Sequence, residues 1–142
     1  MKQFSITGWW CQPGYRALDI VDGRAGLVVF NNKCAFSGII VVNEETCDIF
    51  EDGSILFDKN GGAAISLGKL DEKAGRISFH KLYFNRNDVI YYAASFDPQT
   101  NCWCGRFQGA AVGKGLTTFV LQELPAKLFN LELQAKSIQR EN

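Results

Sequence analysis

RISFHKLYFNRNDVIYYAASFDPQTNCWCGRFQ, residues 76–108, is the stretch that decides the fold. Its first run alternates: Ile77, Phe79, Lys81 and Tyr83 fall on one face, and Ser78, His80, Leu82 and Phe84 on the other. A two-residue period of this kind marks a β-strand with one buried side. Asn85-Arg86-Asn87 turns the chain into a second run, Asp88 to Phe96, where Ile90, Tyr92, Ala94 and Phe96 share a face. Asp97-Pro98-Gln99-Thr100-Asn101 is a turn with proline at its second position. The third run, Cys102 to Gln108, sets Trp103, Gly105 and Phe107 against Cys102, Cys104 and Arg106. No helical pattern separates the three runs, so the spacing predicts antiparallel neighbours rather than a parallel sheet.

The same rhythm extends outward in both directions. Toward the N-terminus, Phe4, Ile6 and Trp10 alternate with Ser5, Thr7 and Trp9 until Pro13-Gly14 breaks the run. Asp22-Gly23 marks a turn, Leu27 to Phe30 a buried strand, and Asn31-Asn32 a tight hairpin, because Asn tolerates positive φ. Phe36 to Val42, Cys47 to Phe50, Ser54 to Phe57 and Ala63 to Leu70 are further strands, with turn signals at Asp52-Gly53 and at 59–62. Toward the C-terminus, a glycine-rich link from Gly109 to Gly115 leads to a last strand, Leu116 to Leu124.

These readings predict an all-β domain over residues 1–125: an antiparallel up-and-down meander of about eight strands, closed into a barrel because closure removes exposed edges. Pro125 ends the last strand. Leu128, Leu131, Ala135 and Ile138 then recur at helical spacing, which predicts a short amphipathic helix over 126–139 within a 126–142 tail. Such a helix packs on the barrel or caps one end; a homodimer contact is the alternative.

Composition fits. The chain has 142 residues, one domain's worth, 46% of them apolar and 13% aromatic, with 14 Gly and only 3 Pro. Fifteen basic residues balance fifteen acidic ones, which gives no electrostatic reason to bind nucleic acid or an anionic membrane. No apolar run reaches the ~18 residues of a membrane helix, and the N-terminus reads as a strand rather than a secretion signal. Five cysteines, an odd number, suit free thiols in a reducing compartment, so the expected location is cytoplasmic.

Several segments together resemble one superfamily. They are Gly8-Trp9-Trp10 near the end of the first strand, Phe36-Ser37-Gly38, Gly75 to Tyr83, Tyr92, Asn101 to Phe107, and Phe119-Val120-Leu121. Gly-x-Trp on a first strand followed by a meander resembles the calycin superfamily, in its avidin-like and lipocalin-like branches. The avidin pattern has Trp where Phe107 stands and Gly where Ala94 stands, so a biotin-binding set does not carry over. The resemblance implies a barrel whose interior is faced by Phe79, Lys81, Tyr83, Tyr92, Trp103 and Phe107, the candidate ligand-binding residues. An aromatic wall with a few polar groups suits a small-molecule cavity, and the same rings equally suit a filled narrow barrel.

Chemistry is sparse. Lys81 on an inner face is costly unless it is paired, hydrated or turned to the rim; if inside, it is a contact for an acidic ligand group. His80 is the one histidine, too few for a typical zinc site. Cys102 and Cys104 lie two apart rather than at metal spacing, and Gly109 to Gly115 lacks the phosphate-loop pattern. No nucleophile elbow occurs. The expectation is therefore a non-enzymatic barrel for a small apolar or acidic ligand, with no cofactor and no metal. The alternatives are a protein–protein interaction or oligomerisation module, and, last, an enzyme using Lys81, Tyr83 or Tyr92 in the barrel mouth.

Overall fold

In the computed structural model, residues 1–13 and 30–125 are described. They form nine strands: β1 (Lys2–Pro13), β2 (Phe30–Val42), β3 (Asp48–Ile49), β4 (Ile55–Asp58), β5 (Gly61–Asp71), β6 (Arg76–Tyr83), β7 (Val89–Asp97), β8 (Cys102–Gly109) and β9 (Gly113–Glu123). All pairings are antiparallel. The order runs β1-β9-β8-β7-β6-β5, through β3 and β4 to β2, and β2 pairs back with β1. The sheet therefore closes, and with β3 and β4 sharing one stave it is an eight-strand barrel of the general shape of calycin-like barrels.

The divided stave has a local cause. A single 3₁₀ turn, Glu51–Gly53, interrupts the path between β3 and β4. Ser54, fully buried, stitches the gap. Its Oγ accepts the Val41 N–H at 2.9 Å and its carbonyl accepts the Ile65 N–H at 3.0 Å. Backbone groups that the missing ladder leaves over are thereby satisfied.

Two glycines set how closely staves approach. A Cβ on Gly8 would lie 2.1 Å from the Thr118 carbonyl oxygen, and one on Gly105 would lie 2.0 Å from that of Ala93. Both positions accept only the residue without a side chain. The Gly of Gly-x-Trp thus has a packing reason: it lets β9 lie close against β1.

Some sequence expectations need correction. No hairpin forms at Asn31-Asn32. β2 runs through them, paired with β1 on both sides, Gln12 opposite Asn32 and Pro13 opposite Phe30, with a register shift that takes up Asn31. Pairing along the rest of β1 outweighs the turn preference of Asn, and the turn tendency shows only as a register shift. The glycine-rich link is shorter than the sequence suggests, since Gly109 and Gly113 already pair across the β8–β9 hairpin. The Asp22-Gly23 turn, most of the Leu27 to Phe30 strand and the 126–139 helix lie outside the described residues.

Inward side chains form one continuous core. Ile6, Ile40, Leu56, Ala63 and Ile65 are completely shielded, and aromatics from six staves join them. The β4–β5, β6–β7 and β8–β9 turns gather at one end of the barrel. Trp10, Asp58 and Tyr83 approach that end.

Candidate functional site

The alternation of β6 puts Ile77, Phe79, Lys81 and Tyr83 inside. β7 contributes Tyr92, and β8 contributes Trp103 and Phe107. All six candidate residues lie in the barrel interior, and each is at most 6% exposed. Their rings pack on one another. Phe79 stacks on Tyr92 with centroids 4.9 Å apart, Tyr92 on Phe107 at 5.7 Å, and Trp103 on Phe119 at 6.4 Å.

Lys81 is where this wall becomes polar. It neither snorkels nor faces outward: its side chain is completely buried. Its Nζ donates to Asp58 Oδ2 at 2.5 Å. The same oxygen accepts the Tyr83 hydroxyl at 2.5 Å and the Trp10 indole N–H at 3.1 Å. The other carboxylate oxygen, Oδ1, accepts the Asn60 backbone N–H at 2.8 Å. Aromatic rings surround the ammonium, with Tyr83, Phe36 and Tyr92 centroids 4.6, 5.7 and 5.8 Å from Nζ. Their negative faces offset part of the lost hydration. The Arg86 guanidinium also lies over Tyr83, 4.5 Å from the ring centroid.

The electrostatics follow from this geometry. Burial pushes the Asp58 carboxyl up, but the hydrogen bonds from Lys81 and Tyr83 and the Lys81 charge outweigh it, holding the group below the ordinary carboxylate range. Burial draws Lys81 down from the usual lysine value, and Asp58 opposes that. Tyr83 is held well above the usual phenol range, by burial first and then by donating to Asp58. Burial likewise raises Tyr92. Tyr83 and Tyr92 thus keep their protons near neutrality, and Lys81 is engaged by Asp58. The cluster is suited to holding one carboxylate oxygen between three donors.

Asp58 and Trp10 are absent from the sequence-derived set. Asp58 sits two residues beyond Leu56, which is completely buried, so it continues the inner face of β4 by one step. A strand drawn to end at Phe57 hides this. The signal that could have found it is the unmet charge of Lys81, which requires a carboxylate on a facing stave. Trp10 is the tryptophan of Gly-x-Trp, and its indole nitrogen binds the site directly. His80 lies outside, edge-on to the Tyr91 ring at 4.4 Å. All five cysteines are free, Cys11 and Cys34 buried and Cys104 exposed.

Among the described residues, no helix is long and apolar enough to cross a membrane. No protein-family model, curated protein or solved structure matches the chain.

Proposed function

We propose that this chain is a non-enzymatic binding barrel of calycin type, cytoplasmic, whose ligand is a small, partly apolar acid. One observation carries the reading: Lys81, Tyr83 and Trp10 converge on a single carboxylate oxygen inside an aromatic wall. A buried ion pair adds little stability over an apolar pair of similar volume, so closing the barrel does not require one. A mostly apolar interior with a few convergent polar groups is the pattern of small-molecule sites. Asp58 then acts as the resident carboxylate, and the acid group of a ligand competes for its donors. β4, which carries Asp58, is only four residues long and belongs to a stave already broken in two, so it can shift at less cost than the long strands beside it.

Native mass spectrometry of protein gently purified from its own source tests this, together with titration by decanoate followed through tryptophan fluorescence. The expected outcome is a bound acid lost on denaturation, with tighter decanoate binding in Asp58→Asn, where the competing charge is gone, and loss of binding in Lys81→Met. A bare mass, together with no decanoate response in either the wild type or Asp58→Asn, overturns the reading.

A second reading rests on a different observation. Across the outside of β4 to β8 lie the rows Phe57–Gly62, Ile55–Ala64–Leu82–Val89 and Ser66–His80–Tyr91–Gln108, with Phe84 closing on Gly62. No residue in these rows carries a fixed charge. Phe57, Tyr91 and Phe84 are 51%, 53% and 66% exposed. A contiguous apolar patch of this kind marks an interaction surface. A face without charge on a chain of zero formal net charge meets a second copy of itself without repulsion, which favours a two-fold homodimer. Light scattering after size exclusion tests it: a dimer in the wild type and a monomer in Phe57→Ser/Phe84→Ser support it, and a wild-type monomer at high concentration removes it.

A further inference from the structure

The outer face of β5 to β8 changes character beyond the apolar rows. There the cross-strand rows are Lys69–Ser78–Ala93–Arg106 and Asp71–Arg76–Ser95–Cys104. In the first row Ser78 and Ala93 lie between Lys69 and Arg106; in the second Arg76 stands on β6 between Asp71 and Ser95, and Cys104 ends the row on β8. The result is an open groove of about 550 Å³, floored by Ser78, Ala93, Ser95 and Gly105 and banked by Arg76, Arg106 and Lys69. This volume falls within the range of small-molecule pockets, roughly 300–1,000 Å³.

Its charge is local. The whole chain is formally neutral, yet three cations face one carboxylate, Asp71, around this groove. Lys69 has a long contact with Asp48 at 3.8 Å, between two exposed side chains. Among the described residues, neither Arg76 nor Arg106 has an ion-pair partner. The two arginines stand on strands either side of β7 and two residues apart in register, so their Cα atoms are roughly 11–12 Å apart. Side chains of that length reach inward over Ala93 and Ser95 from opposite banks. Guanidinium groups grip phosphate and carboxylate oxygens two at a time, and small neutral floor residues leave room for the atoms joining two such groups.

We infer that this groove is a second binding site, distinct from the barrel interior, for a small organic polyanion with at least two oxyanion groups, one on Arg76 and one on Arg106. Cys104, exposed and within the lining, serves as a built-in reporter.

The test uses the full chain with inorganic triphosphate and citrate as probes. Binding is measured by calorimetry, and alkylation of Cys104 by a neutral maleimide is followed by peptide mass mapping. Saturable binding of either probe is expected, weakening with added salt and slowing Cys104 alkylation. In Arg76→Gln/Arg106→Gln, affinity falls roughly tenfold or more, as loss of hydrogen bonds to charged groups requires. Both side chains are exposed, so this variant keeps the wild-type melting curve, and Lys33→Gln on β2, opposite Cys11 of β1 and away from the groove, keeps wild-type affinity. Preference for triphosphate or for citrate assigns phosphate or carboxylate as the recognised group. No saturable binding of either probe to the wild type overturns the inference, as does equal binding by the double-arginine variant. Decanoate binding in the barrel is unaffected by either result, so the two sites succeed or fail separately.

Discussion

Oδ2 of Asp58 accepts from Lys81, Tyr83 and Trp10, residues that β1 and β6 bring to β4. Removing one member of a buried pair strands the other charge, which costs about 3–5 kcal/mol, whereas replacing both by apolar groups is close to neutral. Asp58→Leu and Lys81→Met are therefore each expected to lower stability by about 3–5 kcal/mol, and the double variant to lie within about 1 kcal/mol of the wild type. Urea midpoints at constant slope measure this, and additive losses would refute the coupling. The period put Lys81 on one face with Ile77, Phe79 and Tyr83, but left open whether that face turned inward and whether the ammonium reached the rim; the structure places it inside. Its partner was not legible. One acidic residue at a strand end looks like any turn aspartate until the stave opposite is known.

Elements show where local preference yields to pairing. β5 shifts register between Ser66 and Lys69, with Leu67 at φ 47° and 78% exposed. A left-handed conformation costs a residue with a branched side chain roughly 1–2 kcal/mol, and this leucine has no burial to offset it. Leu67→Asn is expected to stabilise the protein by about 1 kcal/mol, seen as a higher urea midpoint, because Asn tolerates that conformation. An unchanged or lower midpoint would show that the leucine is held by contacts its exposure does not suggest. Gly105→Ala tests the opposite constraint. Its Cβ would meet the Ala93 carbonyl oxygen at 2.0 Å and the Ala94 Cα at 2.5 Å, both backbone, so β7 and β8 must separate. A loss of at least about 1–3 kcal/mol is expected from thermal or urea unfolding. Strands 76–84, 88–96 and 102–108 were legible almost to the residue, because strong alternation and good turn residues agree there. The β5 bulge and the divided stave were not, since both arise from how neighbouring strands meet, and a period-2 pattern records only faces.

At the scale of the whole molecule, closure was legible from the number of strands and the want of helices between them. What fills the closed interior was not, because aromatic inward faces suit a cavity and a packed core alike. The pH dependence of stability reports on that interior. The folded Asp58 carboxyl lies below its ordinary value, so the unfolded chain binds this proton more readily. Stability from this group is complete above the unfolded value of about 4 and is lost as pH falls toward the folded one. Tyr83 and Tyr92 are raised in the fold, so their contribution is complete below the unfolded value of about 10 and is lost as pH climbs above it. Lys81 is drawn down in the fold, so its part runs the other way and offsets some of the alkaline loss; with two tyrosines against one lysine, urea midpoints are expected to fall below about pH 5 and above about pH 10. Asp58→Leu/Lys81→Met separates the limbs. It removes the interior carboxylate, so the acid limb becomes shallower, while burial still raises both tyrosines and the alkaline limb persists. An acid limb identical in the double variant would mean that surface carboxylates govern acid unfolding and that Asp58 takes up its proton alike in the folded and the unfolded chain.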